Sequence, residues 1–471
     1  MLWSFFELSL RKGAAVLVTL VLAWLLTPED FGYVAMLSIF IAVGIVFVNG
    51  GLNAALIRSE NVSDLDLNSV FFVNLFLGAV FYAFLFLSAP FIADFYGHER
   101  LVELIRIAGL AVIAQGFTIV PMVVLQREMR FKLQLKTTLP ASVLSGLVAI
   151  LLAYWDYGVW AIIAQMVLFP IINAVFLFSL KLWVFKFQFS FGCLRPLLNF
   201  SSFMLVDGVS REIFAKMYSL AVAKFFGITT AGLYFFAEKV KDLVILQLVG
   251  AIQQVTFPAL SKINGDGDRL KEGYRKVVQT SILVVFPILA LLAALSEPLF
   301  RFLLPEKWYG AVEYLQLMCL LGLWAPLNQI NLNILMVKHR SDVIFYIGVY
   351  EKLLKLAFLL LAIPYGVTGV IIGEIIALLL AYLPKSYYMS KLLGYSVYEQ
   401  IKDILPILFL SLGVSAGVYL GAGLLEWPAF YELIVLGTTG LLVYLLFAKL
   451  LKFHALELLL EMVRSRLSKV A

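Results

Sequence analysis

Runs of apolar residues long enough to cross the roughly 30 Å hydrocarbon core of a bilayer recur along the whole chain, and they constrain the fold more than any motif does. They fall near 3–26, 33–57, 69–93, 102–125, 137–154 and 158–180, then near 199–223, 232–258, 277–300, 311–337, 343–363 and 366–384, and finally near 403–425 and 428–448. Inside lipid each backbone N–H and C=O needs a partner within its own segment, which runs of this length supply as helices. The chain therefore reads as an all-α integral membrane protein of about fourteen transmembrane helices, numbered here as spans 1–14. Composition agrees: 62% of the residues are hydrophobic and 14% charged, at a mean hydropathy of +0.97, where a soluble domain has about 45–50% apolar and 25% charged residues. No small-residue cleavage site follows a short apolar core at the amino terminus, so the first run is expected to stay as span 1.

Charge sets the expected orientation. Lys and Arg number 36 against 30 Asp and Glu, a formal charge of +6. If both termini are cytosolic, the loops after even-numbered spans and the tail hold 23 basic residues, and the loops after odd-numbered spans hold 4, Arg100, Lys224, Arg301 and Lys307. The positive-inside rule turns that bias into a prediction that both ends lie in the cytosol. In the tail, 452–471, Leu456, Leu459, Leu460, Val463 and Leu467 share one stripe, as in an amphipathic helix lying on anionic lipid or in a packing helix.

Several chemistries lack their residues. Cys193 and Cys319 stand far apart in sequence, and His98, His339 and His454 are scattered over loops and tail, so neither a disulfide framework nor a metal or triad geometry is suggested. No phosphate-binding loop is present, and direct use of ATP is not expected. The run NGDGDR at 264–269 starts like a calcium loop but has Arg269 where glycine is needed and Arg275 in place of the final glutamate; it reads as a solvated turn. The basic balance gives no argument for nucleic acid. The longest outward loop, about 301–310, is too short to build a catalytic domain, so no enzyme is expected.

The chain also repeats itself. AWLLTPEDFG (23–32) aligns with AKFFGITTAG (223–232), AALIR (54–58) with PALSK (258–262), SAPF (88–91) with SEPL (296–299), and YGVWA (157–161) with YGVTG (365–369), at offsets between 200 and 208. Spans 1–6 and 7–12 thus read as two copies of one unit: a lobe at 1–181, a cytosolic linker at 182–198 and a second lobe at 199–391, with spans 13–14 (403–448) appended. An even number of spans per copy gives both the same orientation, related by a pseudo-two-fold axis along the membrane normal, as in secondary transporters that rock about a central site.

Nine basic residues fall inside or at the edges of spans: Arg11, Lys12, Arg106, Arg211, Lys216, Lys239, Lys241, Lys352 and Lys355. An ionised group facing lipid at mid-bilayer costs at least about 2.5–3.5 kcal/mol, so these should face protein or water. Glu7–Arg11, Asp207–Arg211, Glu212–Lys216 and Glu351–Lys355 have the favourable i, i+4 spacing with the acid first. They can be structural salt bridges or parts of a wet cavity. Depth counting from the turn near 227 puts Lys216 and Lys239 at one level, with Glu238, Lys241 and Asp242 nearby, while span 11 adds Lys352 and span 12 adds Glu374. Asn49 and Asn53 flank a flexible NGG in span 2. A slightly cationic cleft lined by these residues suits a diphosphate, and flanking Asn, Gln and Tyr groups suit sugar hydroxyls. Arg106 is either an exit contact or an interfacial anchor.

LLTPEDFGYVAM (25–36), ALIRSENVSDLDLNSVFFVNLFLG (55–78), FPALSKI (257–263) and EKWYGAVEYLQLMCLLGL (306–323) resemble the polysaccharide transporter family, in its WzxC-like branch of flippases, within the MOP (multidrug/oligosaccharidyl-lipid/polysaccharide) exporter superfamily. The likeness extends over nearly the whole chain. It implies alternating access of two lobes and transfer of an undecaprenyl-diphosphate-linked oligosaccharide across the bacterial inner membrane, for O-antigen, exopolysaccharide or teichuronic-type polymer. It names membrane lipids, a polymerase and chain-length proteins as partners, no cofactor, and a H⁺ or Na⁺ gradient as a coupling source. By analogy with the lipid II flippase, spans 13–14 would line a groove for the lipid tail. The LLTPEDFG and EKW motifs lie on outer loops and read as turns and helix caps. The rival is a cation-coupled multidrug antiporter of the same superfamily, with Glu374 or Asp207 as its ion site.

Overall fold

The computed structural model describes residues 2–59, 62–263, 265–424, 427–453, 455–457 and 459, with the backbone alone described at 2–12, 14, 196–200, 251, 253–255 and 257–259. Every regular element among them is helical. The order is α1 (Leu2–Leu25), α2 (Pro28–Asn49), α3 (Leu52–Arg58), α4 (Asp64–Tyr96), α5 (Leu101–Ala108), α6 (Leu110–Arg127), α7 (Phe131–Tyr154), α8 (Val159–Ser179) and α9 (Phe191–Phe225). There follow α10 (Ile228–Lys262), α11 (Gly267–Ala294), α12 (Ser296–Leu303), α13 (Val312–Gly322), α14 (Ala325–Val337), α15 (Ser341–Ala362), α16 (Gly366–Leu393), α17 (Val397–Leu424) and α18 (Ala429–Leu450). Ten stretches among the described residues are long and apolar enough to span a membrane, and one of them, Ser341–Leu393, contains both α15 and α16. The chain is a multi-pass, all-helical membrane protein. Outside that set, α9 and α10 are 35 residues each but broken by charges, and α1 contributes the shorter apolar helix Ala15–Leu25.

Two of the quoted motifs hold helix starts, those of α2 and α4. Thr27 Oγ1 accepts from the Asp30 N–H at 3.3 Å while the Thr27 N–H donates to Asp30 Oδ2 at 2.9 Å, and Pro28 takes the first helical position, where its missing N–H costs nothing. Ser63 and Asp66 build the same box at the start of α4. These caps begin α2 and α4 several residues before the apolar runs do. The NGDGDR run is also a helix start: Asp266 accepts from the Arg269 N–H at 3.1 Å and pairs with the Arg269 side chain, while Asn264 lies outside the described residues.

Packing divides the chain into two compact units, Met1–Gly232 and Leu233–Ala471. In the first, α9 packs on α2, α3 and α4, and α7 on α1 and α8. The chain from 182 to 190 runs extended along α4. Asn68 accepts from Trp183 Nε1 at 3.1 Å and the Lys186 N–H at 3.3 Å, and donates to the Val184 carbonyl, while Phe71 meets the rings of Phe178, Trp183 and Phe185. In the second unit α11 packs on α13, α14 and α17, α15 on α16, and α17 on α18.

Lipid tails are as apolar as leucine, so helices in a membrane associate where small residues let backbones approach. The starts of α2 and α10 show this at repeat-equivalent positions. A Cβ on Gly32 would collide with the Ile228 carbonyl, and a Cβ on Gly232 with the Pro28 carbonyl. The contact is reciprocal at an offset of 200, the alignment of 23–32 with 223–232.

A candidate substrate cavity in charged helices

In the second unit the expected charges converge. Glu351 and Lys355, one turn apart on α15, approach to 3.7 Å, and Lys355 Nζ lies 4.0 Å from Glu374 of α16. Lys385 Nζ donates to Glu351 Oε2 at 2.6 Å and to Asn328 Oδ1 at 3.0 Å. The result is an alternating chain, Lys385–Glu351–Lys355–Glu374, whose side chains are 13–24% exposed. On α10, Lys241 pairs with Asp242 at 3.1 Å, and Glu238, Lys241 and Asp242 all act electrostatically on Glu374. Lys239 is exposed over the Phe235 ring at 5.1 Å, and Lys352 is half-buried on α15.

Beside this chain lies a cavity of about 270 Å³ whose lining includes Asn328, Gln329, Leu332, Ile347, Glu351 and Lys385. Of its polar lining only Glu351 is an expected site residue; Asn328, Gln329 and Lys385 are additions. The apolar run of span 12 ends at 384, which leaves Lys385 in the cytosolic loop by sequence, yet α16 continues through Pro384 to a left-handed cap at Gly394, φ 64°. Asn328 and Gln329 are two of four amides on α14, with Asn331 and Asn333; that cluster is the signal, and it is weak without the fold.

In the first unit Asp207 and Arg211 of α9 pair at 2.8 Å with side chains 67% and 68% exposed. Glu212 and Lys216 follow on the same helix, half-buried. Small residues turn the other side of α9 inward: a Cβ on Gly208 would touch Val46, and one on Gly51 would touch the Ser201 carbonyl at 2.8 Å. The expected flexible NGG is a left-handed break, Gly50 at φ 51° and Gly51 at φ 69°, which ends α2 and starts α3. Across it Asn53 Nδ2 donates to Asn49 Oδ1 at 3.0 Å. Arg11 and Lys12 belong to α1, and their side chains, like Glu7 and most of the tail 452–471, lie outside the described residues. Arg106 donates to the Phe86 carbonyl at 3.4 Å and stacks on the Phe86 ring at 4.2 Å, which ties it to α4.

The last two helices enclose an apolar groove of about 480 Å³, with Phe409, Gly413 and Gly417 on α17 and Leu436, Gly440 and Phe447 on α18 in its lining. Ion pairs fasten this hairpin to the rest of its unit at both ends. Arg275 of α11 grips Asp403 at 2.5 and 2.7 Å, and Arg301 of α12 reaches the fully buried Glu432 of α18 at 2.9 Å. Tyr395, in the turn before α17, donates to Asp403 at 2.5 Å. Burial first, and then that bond, pushes its phenol far above the ordinary range, so it stays a donor.

The family model described as polysaccharide biosynthesis protein matches residues 21–313. The chain is similar to the lipopolysaccharide biosynthesis protein WzxC of Escherichia coli (strain K12), 25% identical over 421 residues, 87% of this chain and 84% of that protein. It is similar to the teichuronic acid biosynthesis protein TuaB of Bacillus subtilis (strain 168), 25% identical over 64% of this chain and 63% of that one. Among solved structures, the lipid II flippase MurJ in an inward closed conformation superposes with a TM-score of 0.79 at 18% identity, covering 96% of this chain and 99% of MurJ. An inward-facing multidrug resistance MATE family transporter of the MOP superfamily gives 0.64 at 16% identity, covering 83% and 99%. The fold is the one these transporters share. With more than half of its length matched by the family model, the chain belongs to the polysaccharide biosynthesis protein family.

Proposed function

We propose that the protein is a flippase that carries an undecaprenyl-diphosphate-linked oligosaccharide from the cytosolic to the outer leaflet of the bacterial inner membrane. The observation that carries the reading is the chain Lys385–Glu351–Lys355–Glu374 beside an amide-lined cavity within membrane helices. In such a chain Glu351 is shared by two lysines. A diphosphate that takes its place gains two ammonium partners without either lysine passing through an unpaired state. Asn328 and Gln329 offer amide donors and acceptors of the kind that match sugar hydroxyls. In the first unit Arg11, Lys12, Asn49, Asn53, Asp207, Arg211, Glu212 and Lys216 are proposed as further substrate contacts.

The topology that goes with this reading has fourteen spans with both termini in the cytosol. Polymerase and chain-length proteins are its natural partners. The proposed coupling source is a H⁺ or Na⁺ gradient.

The rival reading, a cation-coupled drug extruder, draws on Glu374, an acid whose charged neighbours are Lys355, Lys241, Glu238 and Asp242. The fold weighs the other way: 99% of the MATE transporter is matched by 83% of this chain, and the unmatched part has the size of α17, α18 and the tail. Those helices form the apolar groove, which a lipid substrate needs and a soluble drug does not.

Deleting the gene in its host and analysing the lipid-linked sugars tests the reading. Complete lipid-linked units should accumulate in the cytosolic leaflet while surface polymer disappears. Normal surface polymer together with altered drug tolerance would establish the extruder in its place.

A further inference from the structure

Pro384 interrupts the hydrogen-bond ladder of α16 one residue before the lysine that opens the charged chain. Proline has no N–H, so the Leu380 carbonyl loses its helical partner, and the ring crowds that carbonyl. The helix nevertheless runs on to Leu393. Beyond the break Lys385 holds one direction, with its ammonium on Glu351 at 2.6 Å and on Asn328 at 3.0 Å.

What bridges the break is a side chain from the next helix. Gln400 stands near the start of α17 and is 1% exposed. Its Oε1 accepts from Ser386 Oγ at 2.6 Å and from the Tyr382 hydroxyl at 3.3 Å. Its Nε2 donates to the Ser386 carbonyl at 3.1 Å and to the Tyr395 carbonyl at 3.0 Å. A carboxamide offers two acceptor sites and two N–H groups, and all four are used. Tyr382 lies before Pro384 and Ser386 after it; at i, i+4 they share one face of α16. Lys385 stands about 100° round the helix from Ser386, on the side where Asn328 and Glu351 meet it.

Gln400 is itself held firmly. Ser396 and Glu399 form a capping box, with the Ser396 N–H on Glu399 Oε2 at 2.7 Å and the Glu399 N–H on Ser396 Oγ at 3.1 Å. Lys271 of α11 pairs with the same Glu399 at 3.3 Å. Membrane helices can pack without buried amides, whereas a polar group whose every site is filled specifies one geometry.

We infer that Gln400 is a positioning residue for the substrate, splinting α16 across Pro384 and so fixing Lys385 in the charged chain. It does not line the cavity and acts through Ser386, the neighbour of Lys385. The inference rests on the substrate class proposed above, in which Lys385 meets the diphosphate.

The test uses the full-length protein in phosphatidylcholine nanodiscs, with geranylgeranyl diphosphate as probe and geranylgeraniol as the control without a headgroup. Gln400→Met keeps the length of the side chain and removes all four bonds. It should weaken the probe at least about tenfold, the worth of one charge-assisted hydrogen bond, and leave geranylgeraniol unchanged. In a Lys385→Gln background the same substitution should cost less than about twofold, because the residue through which it acts is gone. Thermal stability should fall equally in both backgrounds, which separates positioning from the hold on the hairpin. Ser386→Ala gives up a single bond and should weaken the probe about two- to threefold, again only with Lys385 present; it carries the test if Gln400→Met does not fold. Without any probe, Lys385→Cys in a Cys193→Ser/Cys319→Ala background reports the segment directly, and its labelling rate by a methanethiosulfonate should shift when Gln400→Met or Ser386→Ala is added.

Equal losses of probe affinity with and without Lys385 would make Gln400 a hairpin contact and overturn the inference, leaving the substrate class standing. An unchanged affinity in Gln400→Met, or an unchanged labelling rate, would overturn the splint in the same way. Failure of the wild type to bind the probe at all would overturn the substrate class and, with it, the role of Gln400 in binding.

Discussion

Replacing Gly232 by alanine places a Cβ against the Pro28 carbonyl, with the carbonyl carbon at 2.7 Å and the Gly32 nitrogen at 2.9 Å. Replacing Gly32 places one against the Ile228 carbonyl, with its carbon at 2.8 Å and Ile228 Cγ1 at 2.7 Å. Non-bonded carbons rest at about 3.5–4.0 Å, so the two helix starts must separate by roughly 1 Å. The nearest atom in the way is a backbone carbonyl oxygen in each case, and Pro28 is fixed by the Thr27–Asp30 cap, so moving a side chain alone does not relieve either clash. Overpacking of this kind costs about 1–3 kcal/mol. A conformation that keeps the crossing would lose about 5- to 150-fold in population relative to one that opens it. Because both substitutions wedge the same crossing, the double variant should cost less than the two singles added.

The control is Gly250→Ala on the same α10, where a Cβ meets nothing within 4 Å and helix propensity gains up to about 1 kcal/mol. Thermal unfolding of the purified protein should therefore fall for Gly32→Ala and Gly232→Ala and hold or rise for Gly250→Ala, with surface polymer in complemented cells reduced for the first two. If all three variants unfold and export alike, the close crossing is wrong, and with it the local two-fold relation of the repeats.

Lys385→Gln should lower export at least tenfold, and Glu351→Gln/Lys385→Gln should be no worse than the poorer single variant, since both touch one charge chain; lipid-linked sugar in the cytosolic leaflet reads this. Arg301→Met should cost about 3 kcal/mol in thermal unfolding, because it leaves the fully buried Glu432 without its cation, and Arg301→Met/Glu432→Met should recover much of that loss. Asp207→Asn/Arg211→Gln should change stability by less than about 1 kcal/mol, since both side chains are about two-thirds exposed, while export falls. Normal export at normal expression would make that face of α9 a solvated surface and remove it from the proposed contacts.

What was legible in the sequence follows one physical line. Local rules carried: the Thr27–Asp30 and Ser63–Asp66 boxes, the left-handed Gly50–Gly51 break and the Glu351–Lys355 pair are set by residues within a turn of one another. Contacts between distant residues did not carry. Arg275–Asp403 and Arg301–Glu432 join residues 128 and 131 positions apart, and Lys385 joined the charge chain only once α16 was seen to pass through Pro384. In a soluble helix a polar face marks the side turned away from the core; a membrane span is apolar towards lipid and protein alike, so its sequence does not say which side packs. The embedded charges are the exception, because an ion cannot face lipid without large cost. They were therefore the one class of side chain whose direction could be read from sequence, and α15 and α16 do bring Glu351, Lys355 and Glu374 together inside one unit. Where charge is missing, as along the α17–α18 groove, only the glycines Gly413, Gly417 and Gly440 hint at an opening, and a hint of that kind needs the neighbouring helix to become a site.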